Sequence, residues 1–417
     1  MRRIALISLA VLMTVLFLAG CGGGKKADGA GATIVYWSMW NEAEPQGQVL
    51  ARAAAAFTKE TGIKMDINFN GRDIRMTLQP ALDAGENIDI FDEDLERVNI
   101  TWGNYIRPLD SYLSQTYSTT GGQPYSTVIS KTLLDLARQI GGGSVKTIPY
   151  QPFVFTVMYN KDLFDKAGIS SLPKTWDELL DACAKLKAIG IPGITVDDAY
   201  TSALFGYTMS RIIGSETCAA MVANQDFSGP QVLRFGQIWE HMARNGYISP
   251  TAAANVWPSG QVNDIAGGKV AMYLNGTWLP NELKGNVPNM RWGAFAFPAI
   301  DAAGNGVEAN NYGAQCFGIN KTSKVPDEAF RWIVWMTTGE WDVALAQESM
   351  GIPMANNSQW PSQLAEAKAV VDASSVRLPW AVGFENTPEM NAKIIDNFTR
   401  LVRGDLNAQQ FADAMRR

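Results

Sequence analysis

Apolar stretches of strand length alternate with helix-period patterns along most of the chain. Thr33-Ile34-Val35-Tyr36-Trp37 is rich in β-branched and aromatic residues and predicts a first strand. Val49, Leu50, Ala53 and Phe57 then share one face of a helix that Gly62 should stop. Ile63 to Phe69 alternates inward and outward as a second strand. Ile74, Leu78 and Leu82 set a second helix over 72–84, kinked by Pro80. Ile88 to Phe91 reads as a third, short strand. Strand and helix in this order argue for an α/β protein with a parallel sheet and crossover helices.

The same style continues. Phe153 to Tyr159 is a long apolar strand, and Pro149 and Pro152 flank its start, which suggests a chain crossing between domains. Thr175-Trp176-Asp177-Glu178 is a capping box opening a helix that ends by Gly190. Further strands are expected over 269–274, 292–297 and 315–319. An apolar helix should start at Pro326, and a last helix after Thr387-Pro388-Glu389, running to Gly404. There is no internal repeat.

The amino terminus carries its own signal. Arg2 and Arg3 precede a 15-residue apolar run from Ile4 to Leu18. That is short for a membrane span and the length of a secretory h-region. It ends in Leu18-Ala19-Gly20-Cys21, which resembles the lipobox of bacterial lipoproteins, where Cys21 becomes the lipidated first residue. The glycine-rich stretch after it reads as a flexible tether. The expectation is a body held outside the cytoplasm on a lipid anchor.

Composition narrows the function. With 417 residues, the chain is long enough for two or three cores. The net charge of -6 and the lack of a basic run argue against nucleic acid. His241 is the single histidine, which rules out HExxH zinc sites. No dinucleotide fingerprint, P-loop or nucleophile elbow occurs, and no metal or cofactor is implied. Besides Cys21, Cys183, Cys218 and Cys316 read as buried thiols, with a Cys183–Cys218 bridge as the alternative.

Candidate binding residues lie in polar loops. Trp37 and Trp40 bracket the loop after the first strand, beside Asn41 and Glu42. Trp278 follows Asn275-Gly276-Thr277; Asn311 and Tyr312 precede a strand; Trp380 precedes the last helix. Indole faces stack on the C–H face of a pyranose while Asn, Asp and Glu bind its hydroxyl rim. Packing roles remain the alternative for each aromatic. The acidic run Asp92-Glu93-Asp94-Leu95-Glu96 follows the third strand, where ligands of open α/β sheets collect. It reads either as acids dressing a helix start or as acceptors for hydroxyl or ammonium groups.

Three ordered stretches carry a family resemblance: Ala53 to Lys64; Tyr159 to Phe164 with Pro173 to Leu179; and Ala271 to Trp278. Together they resemble the family 1 extracellular solute-binding proteins of ABC importers, the group with maltose- and multiple-sugar-binding proteins. The resemblance implies a periplasmic-binding-protein fold of class II type, two hinge-linked α/β lobes with ligand between them. With the signal peptide at 1–20 and lipidated Cys21 and tether at 21–32 read from the amino terminus, it implies a first lobe of 33–150 and 308–339 and a second of 151–307 and 340–417. The family pattern makes Trp278 a sugar-stacking residue and maps hydroxyl binding onto Asn41 and Glu42. It matches Tyr200 to another stacking position. Some relatives carry an aromatic where this chain has Asp92, which leaves the sugar register open.

The expected function is a monomeric, lipid-anchored carbohydrate receptor that closes on an oligosaccharide and delivers it to permease subunits. The expected site is Trp40, Asn41, Glu42, Asp92, Glu93, Tyr200, Trp278, Asn311, Tyr312 and Trp380. Two rivals stand beside it. One is a polyamine receptor using Asp92, Glu93 and Glu42, unless Arg72 and Arg75 neutralise them. The other is a secreted glycoside hydrolase pairing Asp92 or Asp94 with Glu42 or Asp198.

Overall fold

A computed structural model describes residues 31–416; the expected signal peptide and Cys21 lie outside the described residues. The strands are β1 (Thr33–Ser38), β2 (Lys64–Phe69), β3 (Ile90–Asp94), β4 (Thr147–Asn160), β5 (Ile194–Thr195), β6 (Met272–Gly276), β7 (Trp292–Phe295), β8 (Ala309–Asn310), β9 (Tyr312–Ile319) and β10 (Val376–Arg377). Helices separate most of them, so the class is α/β.

The first crossover follows the pattern closely. Helix Pro45–Thr61 takes Pro45 in its first turn and buries Val49, Leu50, Ala53 and Phe57. Gly62 ends it at φ 74°, a left-handed conformation in which its N–H returns to the Thr58 carbonyl. Helix Ile74–Asp83 keeps Pro80 inside it and buries Ile74, Leu78 and Leu82. The capping box at Thr175 and Glu178 is present, and the helix it opens runs from Trp176 to Ala188. The chain does not end at the helix Pro388–Arg403; a further helix, Ala408–Arg416, packs Phe411 on Phe235 with ring centroids 5.3 Å apart.

One eight-stranded sheet runs β2-β1-β3-β9-β4-β6-β5, with β7 also on β4. β1 pairs parallel with β2 and β3, and β5 with β6, as crossover helices require. β9 and β4 run antiparallel to their neighbours, so the sheet is mixed rather than parallel. These two strands join the halves. Thr147 to Tyr150 pairs with the far end of β9, Pro152 to Val154 pairs with Tyr312 to Ala314, and Phe155 onward leaves β9 for β6 and β7. The register shifts between Tyr150 and Pro152, where Gln151 is left-handed at φ 46°. The proline-flanked crossing expected at 149–152 is therefore a bulge inside one long strand.

The last crossing falls elsewhere than Gly339. Helix Gly339–Ser349 packs on Pro45–Thr61 and Pro326–Thr337, within the first half. Asp342 accepts the Met354 and Ala355 N–H groups at 2.7 and 3.0 Å, and the Asn356 N–H reaches the Val128 carbonyl. The turn Ser362–Leu364 and the helix Ala367–Ala373 then pack on β7. Gly339 bends the path between two helices that pack together, and residues 340–356 pack with the first half of the chain.

Cys183, Cys218 and Cys316 are buried and free, so the bridge does not form. Burial pushes the Cys183 and Cys218 thiols up to about 12.

Candidate ligand-binding cleft

The clearest grouping of expected residues lies where β6 ends against the crossing strands. Thr277 is bound to Val154 of β4 in both directions: its N–H donates to the Val154 carbonyl and its hydroxyl accepts the Val154 N–H. The next residue, Trp278, folds back across Gly276. A Cβ at Gly276 would stand 2.1 Å from the indole, so the absence of a side chain there creates the seat. Trp278 is half-buried, and its ring lies 5.8 Å from Trp380 and 5.4 Å from Phe153. Phe153 rests over Gly313 of β9, where a Cβ would meet it at 2.9 Å.

Phe155 lies buried behind these three, 6.1 Å from Trp278 and 5.7 Å from Trp380. Tyr200 supports them from helix Asp198–Ile213, edge-on to Trp380 at 6.1 Å. Tyr200 is only 5% exposed, so it backs the wall and does not present a face. Burial raises its hydroxyl pKa. The result is a half-exposed wall of Phe153, Trp278 and Trp380.

Asn311 and Tyr312 sit at the start of the second crossing strand and are buried, not in an open loop. Asn311 donates its amide to the Leu378 carbonyl, two residues from Trp380, and its N–H to the Tyr207 hydroxyl. Its Oδ1 is buried without a partner. The Tyr312 carbonyl accepts Arg377 Nε at 2.8 Å, and Arg377 Nη1 reaches Glu96 at 2.6 Å.

The loop after β1 is partly committed to structure. Trp40 is buried, its Nε1 donates to the Tyr150 hydroxyl at 2.8 Å, and the Arg72 guanidinium covers its ring at 4.6 Å. It is a strut, which corrects its expected role as an open platform. Asn41 and Glu42 are exposed. Asn41 donates through its backbone N–H and its amide to Glu44, which also takes both Arg72 nitrogens.

Asp92 and Glu93 need a clear correction. β3 extends through them to Asp94, so they lie inside the sheet and both are buried. Asp92 accepts the Met39 N–H at 2.8 Å and the Tyr150 hydroxyl. Burial outweighs these bonds and pushes its carboxyl up to about 7. Glu93 accepts Arg75 Nε at 2.5 Å and has Arg97 Nε 3.5 Å away. Arg75 therefore neutralises Glu93 as the rival reading allowed, while Arg72 serves Glu44. Neither carboxylate is free for a cation or a glycosidic oxygen. Asp198, named for the hydrolase pair, accepts the Trp257 and Ala199 N–H groups.

Phe153 escaped the sequence reading because it lies in a continuous apolar run that a buried strand explains equally well. Its one signal is Pro152 beside it. Two concavities of 440 and 540 Å³ elsewhere on the surface are lined by none of the ten expected residues.

The model of the family described as bacterial extracellular solute-binding protein matches residues 41–342, well over half of the chain. The chain belongs to that family. A binding protein of Brucella abortus (strain 2308) is 26% identical over 353 residues, covering 81% of this chain and 80% of that one. The diacetylchitobiose-binding protein DasA of Streptomyces coelicolor is 30% identical over 213 residues, 46% of this chain and 43% of that one. The crystal structure of a secreted solute-binding lipoprotein from Streptomyces coelicolor superposes with a TM-score of 0.73 at 17% identity, covering 92% of this chain and 97% of that one. The fold is thus the two-lobed α/β architecture of solute-binding proteins. Proteins of this family are solute-binding receptors.

Proposed function

We propose that this solute-binding protein is the extracytoplasmic, lipid-anchored receptor of an ABC importer and that its solute is an oligosaccharide. The wall of Phe153, Trp278 and Trp380 carries the reading. Three half-exposed aromatic faces in one place suit the C–H faces of pyranose rings, which have no charge to satisfy and hydroxyls only at their edges. The diacetylchitobiose-binding relative supports a carbohydrate. The lipobox at Cys21 supports anchoring, and among the described residues no helix is long and apolar enough to cross a membrane.

The lobes are taken as 33–150 with about 312–356, and 152–311 with about 362–416, meeting along β4 and β9. Sugar enters between them, stacks on the second lobe and bonds the exposed Asn41 and Glu42 of the first. Closure buries it, and the permease recognises the closed monomer. A polyamine is disfavoured because two of the three acids that would hold it, Asp92 and Glu93, are buried and engaged with Tyr150, Met39, Arg75 and Arg97.

A thermal-shift screen of the purified chain against maltotriose, raffinose, stachyose, diacetylchitobiose and spermidine tests this. Ligand at 100 times its dissociation constant adds about 2.7 kcal/mol, a readable shift. A rise with a sugar, lost in Trp278→Ala, is expected. A rise with spermidine alone refutes the carbohydrate reading, and release of monosaccharide from a bound sugar refutes the receptor role.

A further inference from the structure

We propose that Glu282 is a specificity-determining ligand contact, its carboxylate accepting hydroxyl hydrogen bonds from the sugar ring seated on Trp278. The inference rests on the carbohydrate reading above and deepens it.

Trp278 caps the single turn Leu279–Glu282, so Glu282 stands four residues on, over the same side of that turn. A file of amides links it back to the aromatic wall. Gln261 donates Nε2 to Glu282 Oε2 at 3.1 Å, and Gln261 Oε1 takes Asn275 Nδ2 at 3.4 Å. Asn275 Oδ1 is in turn held by the Gly276 N–H at 2.6 Å.

Gln261 and Asn275 are buried, whereas Glu282 reaches solvent. The file therefore runs from the interior beneath Gly276 outward and ends on a group that can only accept. One of its oxygens is fixed by Gln261. The other has no protein partner among the described residues.

Such an arrangement fixes one carboxylate oxygen and leaves the other facing solvent. Amides buried beneath a platform must be matched donor to acceptor, and this file is matched at every step except the last. It also holds the carboxylate in one place before ligand arrives, which spares the ordering cost on binding. Neighbouring protein raises the carboxyl's pKa, and its second oxygen stays open to solvent and so to a ligand hydroxyl. A ring lying on the indole carries its hydroxyls at its edge, within the span of a neighbouring turn. An ionised acceptor there favours rings with free hydroxyls at that edge, since a methylated or deoxygenated edge would leave the charge desolvated and unmatched.

The test uses the purified full chain and calorimetric titration with maltotriose, raffinose, stachyose and diacetylchitobiose. Three proteins are compared: wild type, Glu282→Gln and Gln261→Ala. Glu282→Gln keeps a carbonyl oxygen for Gln261 but loses the charge. It is expected to weaken the bound sugar at least about tenfold, the loss of a charge-assisted bond, with the unliganded melting midpoint unchanged. Gln261→Ala leaves the charge in place and is expected to cost less. The inference is overturned if Glu282→Gln binds within twofold of wild type, or if Gln261→Ala loses as much, because Glu282 would then only prop its neighbour. If wild type takes none of the four sugars while spermidine binds, the carbohydrate reading itself has failed and this inference with it.

Discussion

Replacing Asp92 by asparagine should stabilise the protein at alkaline pH and remove part of its pH dependence. Asp92 is fully buried in the first lobe, between the Met39 N–H and the Tyr150 hydroxyl. Desolvation is the largest influence on it and holds its pKa at about 7. In the unfolded chain an aspartate titrates near 3.9. Between about pH 4 and 7 the native state therefore keeps a proton that the unfolded state has lost, and stability falls as pH rises. The gap of about three units corresponds to a cost of about 4 kcal/mol above pH 7, fading toward zero below pH 4. Asparagine does not titrate, and its carbonyl still accepts from Met39. The advantage of Asp92→Asn over wild type should thus grow from about 1 kcal/mol at pH 5 to several at pH 8. Asp342, raised to about 6 by burial, acts with the same sign, but both proteins carry it and it cancels in the comparison. Urea unfolding followed by tryptophan fluorescence at pH 5, 6, 7 and 8 measures the difference. A difference that stays constant across pH would refute the reasoning. So would a variant less stable by the same amount throughout, since Asp92 would then be ionised in the folded state and held by its two donors.

Gly276→Ala should place a methyl group 2.1 Å from the Trp278 ring, push the indole off its seat and weaken sugar binding at least about tenfold by titration; unchanged affinity would remove Trp278 from the site. Glu93→Ala removes the partner of the half-exposed Arg75 and Arg97 and should lower stability in urea unfolding, by about 1–2 kcal/mol since water takes up the freed guanidinium groups, with sugar affinity unchanged. A reagent for free thiols should find Cys183, Cys218 and Cys316 unreactive in the folded chain and all three reactive in denaturant, whereas a fast-reacting thiol among them would contradict their burial.

What the sequence could reveal was what depends on neighbours in the chain. Val49, Leu50, Ala53 and Phe57 recur at the helical period, and Thr175 and Glu178 satisfy each other's N–H groups within one turn. Trp278 was legible because an aromatic after Asn275-Gly276-Thr277 sits at the end of a strand. The acidic run at 92–96 misled for the opposite reason. Ordinary exposed aspartates would end a strand, but Asp92 continues this one because Met39 and Tyr150, 53 and 58 residues away, supply its donors. Phe153 was hidden by the reverse effect, an apolar residue in an apolar strand whose exposure depends on Gly313 opposite it. The boundary at Gly339 came only from the family resemblance, whereas Gly339 joins two helices that pack together, and Asp342 ties the following loop back at Met354.

Trp40 shows how that tertiary context redirects a residue toward function. Its indole nitrogen is spent on the Tyr150 hydroxyl, the same hydroxyl that meets Asp92. Tyr150 is followed at once by Gln151, the left-handed residue where β4 shifts register between the lobes. Gln151 in turn donates to Ser349 at the end of the helix packed on the first lobe. Side-chain contacts and one peptide link thus run from the loop bearing Asn41 and Glu42 to the strand along which the proposed lobes meet. Movement of that loop on ligand binding would load the bulge directly. Tyr150→Phe, which unties Trp40 and Asp92 from the bulge, should therefore alter how far the lobes close on a given sugar more than how tightly the aromatic wall holds it.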